Sequence, residues 1–171
     1  MLIRAPIRRN RAFTLTELLM VILIIAITAA VVIPNIINTN DIQVVSAVRM
    51  LAADIQYAQD TAITTQLPVT ITFDTNNESY QLSNASGLLK HPIKKGDDFK
   101  IELKKTQGLG NVNIVSANFG GTNAVTFDYV GSPSAVTVSS GTHNVVMQAG
   151  SNVYYLDVAP ATGKVTVKVG P

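Results

Sequence analysis

One carboxylate stands near the start of an otherwise uncharged apolar run. In RAFTLTELLMVILIIAITAAVVIPN, Glu17 is the only charge between Phe13 and Ile33. A charged side chain within hydrocarbon costs on the order of 2.5–3.5 kcal/mol on insertion scales, so such a group finds a partner, reaches the headgroup edge or takes up a proton. Just ahead of it, Ala12-Phe13 follows Arg4, Arg8, Arg9 and Arg11, a basic stretch with no acid. Basic residues, then a small residue, then an apolar run are the parts of a targeting or anchoring segment.

Elsewhere the patterns that carry catalysis or metal binding break down. No Gly-x-Ser-x-Gly occurs, and His91 and His143 lie 52 positions apart with no obvious acidic partner nearby, so both read as surface or turn residues. GLGNVN at 108–113 begins like a dinucleotide loop but has Asn113 in place of the third glycine and no βαβ unit around it. Asp97-Asp98 lacks the spaced oxygen ligands of a calcium loop. With no cysteine, a disulfide framework, a thiolate nucleophile and a thiolate metal site are all excluded. The chain is therefore expected to have no enzymatic activity, cofactor or metal.

Charge sets a further limit. The 13 basic residues exceed the 11 acidic ones only because of the four leading arginines; without those, 9 face 11. Bulk charge thus argues against a nucleic-acid binder. Residues 90–105 do gather Lys90, Lys94, Lys95, Lys100, Lys104 and Lys105 against Asp97, Asp98 and Glu102. The tail adds only Lys164 and Lys168, with no arginine and no clear aromatic interleaving, so residues 90–105 read as a solvated loop rather than a nucleic-acid contact.

The elements that position these residues follow from periodicity. Phe13–Ile33 has 21 residues, close to the ~20 that span a hydrocarbon core as a helix, and the preceding arginines place the N-terminus in the cytoplasm. Pro34 removes a helix hydrogen bond and predicts a kink. Beyond it, Ile37, Val44, Val48, Leu51, Ile55, Ala58 and Ala62 recur as one apolar helical stripe that only Asp41 interrupts, and Arg49, Asp54, Gln56 and Asp60 read as its wet face. Phe13 to about Gln66 would form a helix of roughly 80 Å.

Past Leu67-Pro68 the period becomes two. Val69, Ile71 and Phe73 point one way, Asn76-Asn77 supplies a turn, and Tyr80 and Leu82 begin the return strand. Further strands are expected over Phe99–Leu103, Val112–Val115, Ala124–Asp128, Ala135–Val138, Asn144–Gln148, Val153–Val158 and Lys164–Val169. The fold class is then α+β, a long N-terminal helix packed against an antiparallel β-sheet or sandwich. Its segments are a leader (1–12), a transmembrane or filament-core helix (13–33), an amphipathic helix (34–66) and a β domain (67–171).

Three readings compete for residues 1–33: a secretory signal peptide cut after Thr28-Ala29-Ala30, an uncut anchor, or a class III signal cut ahead of the apolar run. AFTLTELLMVILIIAITAAVVIPN resembles the N-terminus of type IV pilins and type II secretion pseudopilins. That resemblance implies cleavage by prepilin peptidase between Ala12 and Phe13, N-methylation of Phe13, and Glu17 as the glutamate that pairs with a neighbouring subunit's methylated amine. It also implies Pro34 as the family's helix bend. Ala12 departs from the glycine usual before the cut, and Thr16 from the commoner aliphatic residue.

Further along, RMLAADIQYAQDTAITTQLPVTITFDTNNESYQL, VTFDYVGSP and VAPATGKVTV resemble the GspH/FimT-like branch. Phe127 and Gly131 fall on its Phe-x-x-x-Gly turn, and Gly163 on its closing turn. The implied function is that of a minor pseudopilin of a type II secretion system, assembling into a periplasmic pseudopilus. Its partners would be prepilin peptidase, other pseudopilins or pilins of the filament, and the inner-membrane assembly platform. The subunit would cross the inner membrane once, with its C-terminal domain periplasmic. One alternative is a minor pilin of a type IV pilus, including a DNA-uptake version, though the tail offers only Lys164 and Lys168. An alternative of another class is a secreted β domain released by signal peptidase.

Overall fold

Thr14 starts the first helix. Its Oγ1 and carbonyl oxygen both accept from the Glu17 N–H, at 3.3 and 3.1 Å, which satisfies a donor that the first turn leaves unpaired. The computed structural model describes residues 13–32, 39–134, 136 and 143–170, which fall into two units divided between Ile37 and Asn38. The first unit holds α1 (Leu15–Val32). Among the described residues no helix is long and apolar enough to cross a membrane. With 18 residues, α1 measures about 27 Å against a hydrocarbon core of ~30 Å, and the expected span ends at Ile33, outside the described residues. Ala12, Pro34, Ile37 and most of Ala135–Val138 also lie outside them.

The second unit is built around α2 (Thr39–Thr65). Its expected stripe is the core face: Val44, Val48, Leu51, Ile55, Ala58 and Ala62 are all fully buried or nearly so. The buried alanines let the sheets approach the helix backbone closely. Gln66 ends the helix in a left-handed conformation, with φ 56°, and its side chain donates to the Ile63 carbonyl at 2.8 Å.

Arg49, Gln56 and Asp60 are exposed as expected, but Asp54 is half-buried and accepts the Tyr80 hydroxyl at 2.5 Å. Burial pushes the Asp54 carboxyl above its ordinary range, although the Tyr80 hydrogen bond and the nearby His91 pull the other way. Burial and the Asp54 charge in turn push the Tyr80 phenol well above its usual range, so it remains a donor. An acid whose folded pKa exceeds its unfolded one destabilises the fold when ionised. That penalty is complete above the raised pKa and vanishes below the ordinary 3.8. Asp54→Asn keeps an acceptor for Tyr80 and is expected to raise Tm at neutral pH, with the gain shrinking as the pH is lowered toward the ordinary carboxylate range. Thermal melts across that range check it.

Two antiparallel sheets enclose α2. The first contains β1 (Val69–Asp74), β2 (Ser79–Asn84), β3 (Gly87–Leu88), β4 (Lys100–Glu102), β6 (Ala124–Phe127) and β7 (Pro133–Ser134), in the order β3-β2-β1-β6-β7, with β4 also on β2. The second contains β5 (Asn113–Ala117), β8 (Val145–Ala149), β9 (Asn152–Val158) and β10 (Val165–Val169), in the order β10-β9-β8-β5. Val69, Ile71, Phe73, Tyr80 and Leu82 point into the core as their alternation predicts. Asp74 closes the β1–β2 turn, accepting from the backbone N–H groups of Asn76 and Asn77 at 3.0 and 3.1 Å. The strand expected over Phe99–Leu103 is shorter, because Leu103 opens a 3-10 turn. β3 and β7 escape a search by alternation, being two residues long.

Candidate functional site

In the first unit the candidate residues stand at the start of α1. Phe13 is 77% exposed, and Glu17 lies in the first helical turn, where the positive end of the helix dipole favours a carboxylate. Thr14 and Glu17 have the spacing of a capping box, of which the Glu17 N–H to Thr14 Oγ1 bond is formed. From Leu15 to Ile27 the large apolar side chains are exposed on every side of the helix. A helix that is apolar all round needs cover from lipid or from other helices. The Thr28 hydroxyl is satisfied within the helix by the Ile24 and Ile25 carbonyls, at 2.9 and 3.0 Å, so it adds no unpaired polar group to that surface.

In the second unit the two glycine turns, far apart in the chain, meet on α2. Gln59 Nε2 donates to the Gly131 carbonyl at 2.7 Å and to the Thr162 carbonyl at 2.9 Å. Gly131 and Gly163 have φ of 82° and 66°, which glycine adopts without strain. A Cβ on Gly163 would come within 2.7 Å of Gln59 Nε2 and 3.0 Å of the ring of the fully buried Phe127. A Cβ on Gly131 would lie 2.8 Å from Ile63 Cδ1. Asp128 braces the first turn, accepting from the N–H groups of Val130 and Ser132 at 3.0 and 2.8 Å. Phe127, Gly131 and Gly163 thus form one junction, and Gln59 is the member that sequence reading missed.

The second unit matches the family model described as "Type II transport protein GspH" over residues 47–162, and a prokaryotic N-terminal methylation motif covers residues 7–33. The chain belongs to the GspH family. Its fold is shared with the solved minor pseudopilin EpsH from the Type 2 Secretion System of Vibrio cholerae, at TM-score 0.50 and 9% identity, covering 75% of this chain and 96% of that one. The Pseudomonas aeruginosa type IV minor pilin FimU gives TM-score 0.49 and 17% identity, covering 78% and 92%. No curated protein matches the chain.

The other residues marked out by the sequence are mostly absorbed by this GspH-family fold. In the sequence His143 has no obvious acidic partner nearby, yet its Nδ1 lies 3.0 Å from Asp157 Oδ1, because the antiparallel pairing of β8 and β9 brings Asp157 beside the residues that lead into β8. Lys168 on β10 also reaches Asp157, at 3.0 Å. Burial would raise the Asp157 carboxyl, but hydrogen bonds from Lys168 and His143 outweigh it and hold the pKa low. His91 is a turn residue whose Nδ1 accepts from the Ile93 and Lys94 N–H groups, at 3.1 and 3.2 Å.

Among the lysines, Lys90 pairs with Asp98 at 2.7 Å, Lys100 and Lys105 with Glu102, and Lys104 donates to Asn113 at 2.7 Å. Three of the six lysines of residues 90–105 thus pair with acids of the same stretch, while Lys94, Lys95 and Lys104 make no ion pair among the described residues. GLGNVN forms a turn, with the Val112 N–H donating to the Leu109 carbonyl at 3.0 Å, and it leads into β5 rather than a helix.

Proposed function

We propose that this GspH-family chain is a minor pseudopilin subunit of a type II secretion system, held in the inner membrane by its N-terminal helix and then packed into a periplasmic pseudopilus. The observation that carries this reading is the coincidence of the methylation motif with α1, a helix whose apolar side chains are uncovered on all sides and whose one acid lies in its first turn. Prepilin peptidase would cut between Ala12 and Phe13 and the new amine would be methylated. Pro34 would bend the helix between its two halves. The role is structural, and the α2–sheet unit would display contact surfaces to neighbouring subunits and the assembly platform.

Mass spectrometry of the protein from its native membrane is expected to find N-methylated Phe13 as the first residue. A mature chain beginning at Val31 would mean signal peptidase release and overturn the reading. A deletion strain separates the two filament systems. Loss of exoprotein release, with twitching and transformation intact, is the expected phenotype; the reverse would assign the chain to a type IV pilus.

A further inference from the structure

β10 is an edge strand of its sheet, and its core-side face is left partly uncovered. Val167 and Val169 pair in register with Leu156 and Tyr154. Leu156 is fully buried, whereas Val167 is 42% and Val169 71% exposed. Between β10 and α2 runs a trough in two parts of about 510 and 370 Å³, both bordered by Arg49 and Val167. Valine at alternate positions on the core side of a sheet is the pattern of a covered strand, and here the described residues leave Val167 and Val169 largely uncovered.

The backbone of β10 is open on the same side. The Ala159 N–H donates to the Lys164 carbonyl at 2.9 Å, and the Gly170 N–H to the Val153 carbonyl at 2.7 Å. Hydrogen bonding alternates along an antiparallel pair, so the even-numbered residues face β9 and Val165, Val167 and Val169 turn their N–H and C=O groups to the free edge. Other edge strands are blunted: β5 carries a bulge between Ile114 and Ser116, β3 and β7 have two residues each, and β4 has three. Arg49 and Lys164 border the trough, no acidic residue lines it, and neither makes an ion pair among the described residues.

We propose that this trough receives an extended segment of a partner protein. The segment adds to β10 as a further strand, with alternating apolar side chains against Val167 and Val169 and a carboxylate for Arg49 and Lys164. A second copy of β10 is a poor occupant, since it would bring Lys164 and Lys168 and no acid. Strand addition here uses only the second unit and goes beyond the pseudopilin reading, so it stands or falls independently of leader cleavage.

The test uses the full chain in detergent micelles and a short synthetic peptide of alternating valine and threonine with one central glutamate. A peptide with lysine in place of the glutamate serves as its counterpart. The glutamate peptide is expected to bind and to protect the amides of Val165, Val167 and Val169 from hydrogen exchange. The lysine peptide should bind roughly fivefold more weakly, and Arg49→Glu, at an exposed helix position, should narrow or reverse that preference. Val167→Pro removes an outward N–H while sparing the ladder to β9, and should abolish binding. Protection elsewhere, unchanged binding by Val167→Pro, or sedimentation showing a dimer that Val167→Pro dissociates would each overturn the proposal.

Discussion

Replacing Glu17 by valine is expected to leave the chain inserted in the membrane while lowering its incorporation into filaments at least about tenfold, the equivalent of ~1.4 kcal/mol. Insertion should not suffer, because a carboxylate within hydrocarbon costs on the order of 2.5–3.5 kcal/mol and valine removes that cost. Assembly should suffer because the pilin resemblance assigns Glu17 a partner, the methylated Phe13 amine of a neighbouring subunit. An ion pair between apolar helices contributes more to register than to net stability, since every misaligned arrangement leaves a charge unpaired. Membrane fractionation reports insertion, and immunoblots of sheared filaments report incorporation.

Glu17→Gln separates pairing from capping. Glutamine serves as well as glutamate in a capping box with Thr14, so a merely local role predicts normal assembly for that variant. The pairing role predicts failure for both substitutions. Normal incorporation of Glu17→Val would remove Glu17 from the assembly mechanism altogether.

Gly163→Ala is expected to destabilise the second unit by roughly 2–5 kcal/mol. A Cβ at positive φ accounts for about 1–2 kcal/mol of this. The remainder follows from displacing Gln59, whose two hydrogen bonds to the Gly131 and Thr162 carbonyls each contribute about 0.5–1.5 kcal/mol. Phe127 gives little relief, because its ring is fully buried beside Gly163. Gly131→Ala should cost less, since its closest neighbour is the movable end of Ile63. Urea titration of the full chain in detergent measures both. In the Gly163→Ala/Gln59→Ala double variant the two losses should add to less than their sum, because both act on the same hydrogen bonds. A loss below about 1 kcal/mol for Gly163→Ala would mean that the turn yields and Gln59 is not what holds it.

The readable parts of this chain are those whose physics is local. The basic stretch, the apolar run and Glu17 are contiguous, so composition and spacing expose them without any fold. The α2 stripe is equally visible, because a helix that buries one face writes that face at intervals of three and four. The β1–β2 hairpin shows through alternation and an Asn-Asn turn. Even the turn glycines can be marked, since positive φ selects glycine wherever the turn happens to lie.

What the glycines turn toward is another matter. Gln59 joins carbonyls 72 and 103 positions away, and nothing near it in the chain distinguishes it from the exposed Gln56 one turn earlier. Asp54 reads as wet by helical period alone, yet Tyr80 on β2 makes it half-buried. His143 acquires Asp157, and Val167 loses its cover, through the placement of neighbouring strands and α2. Sequence alone determined the methylation motif, the helical stripe and the strand-rich second half, because each is set by interactions within a few residues. Tertiary structure decided the Gln59 junction, the half-buried Asp54 carboxylate and the open β10 edge, because burial and hydrogen-bond partners depend on which distant segments come to share a surface.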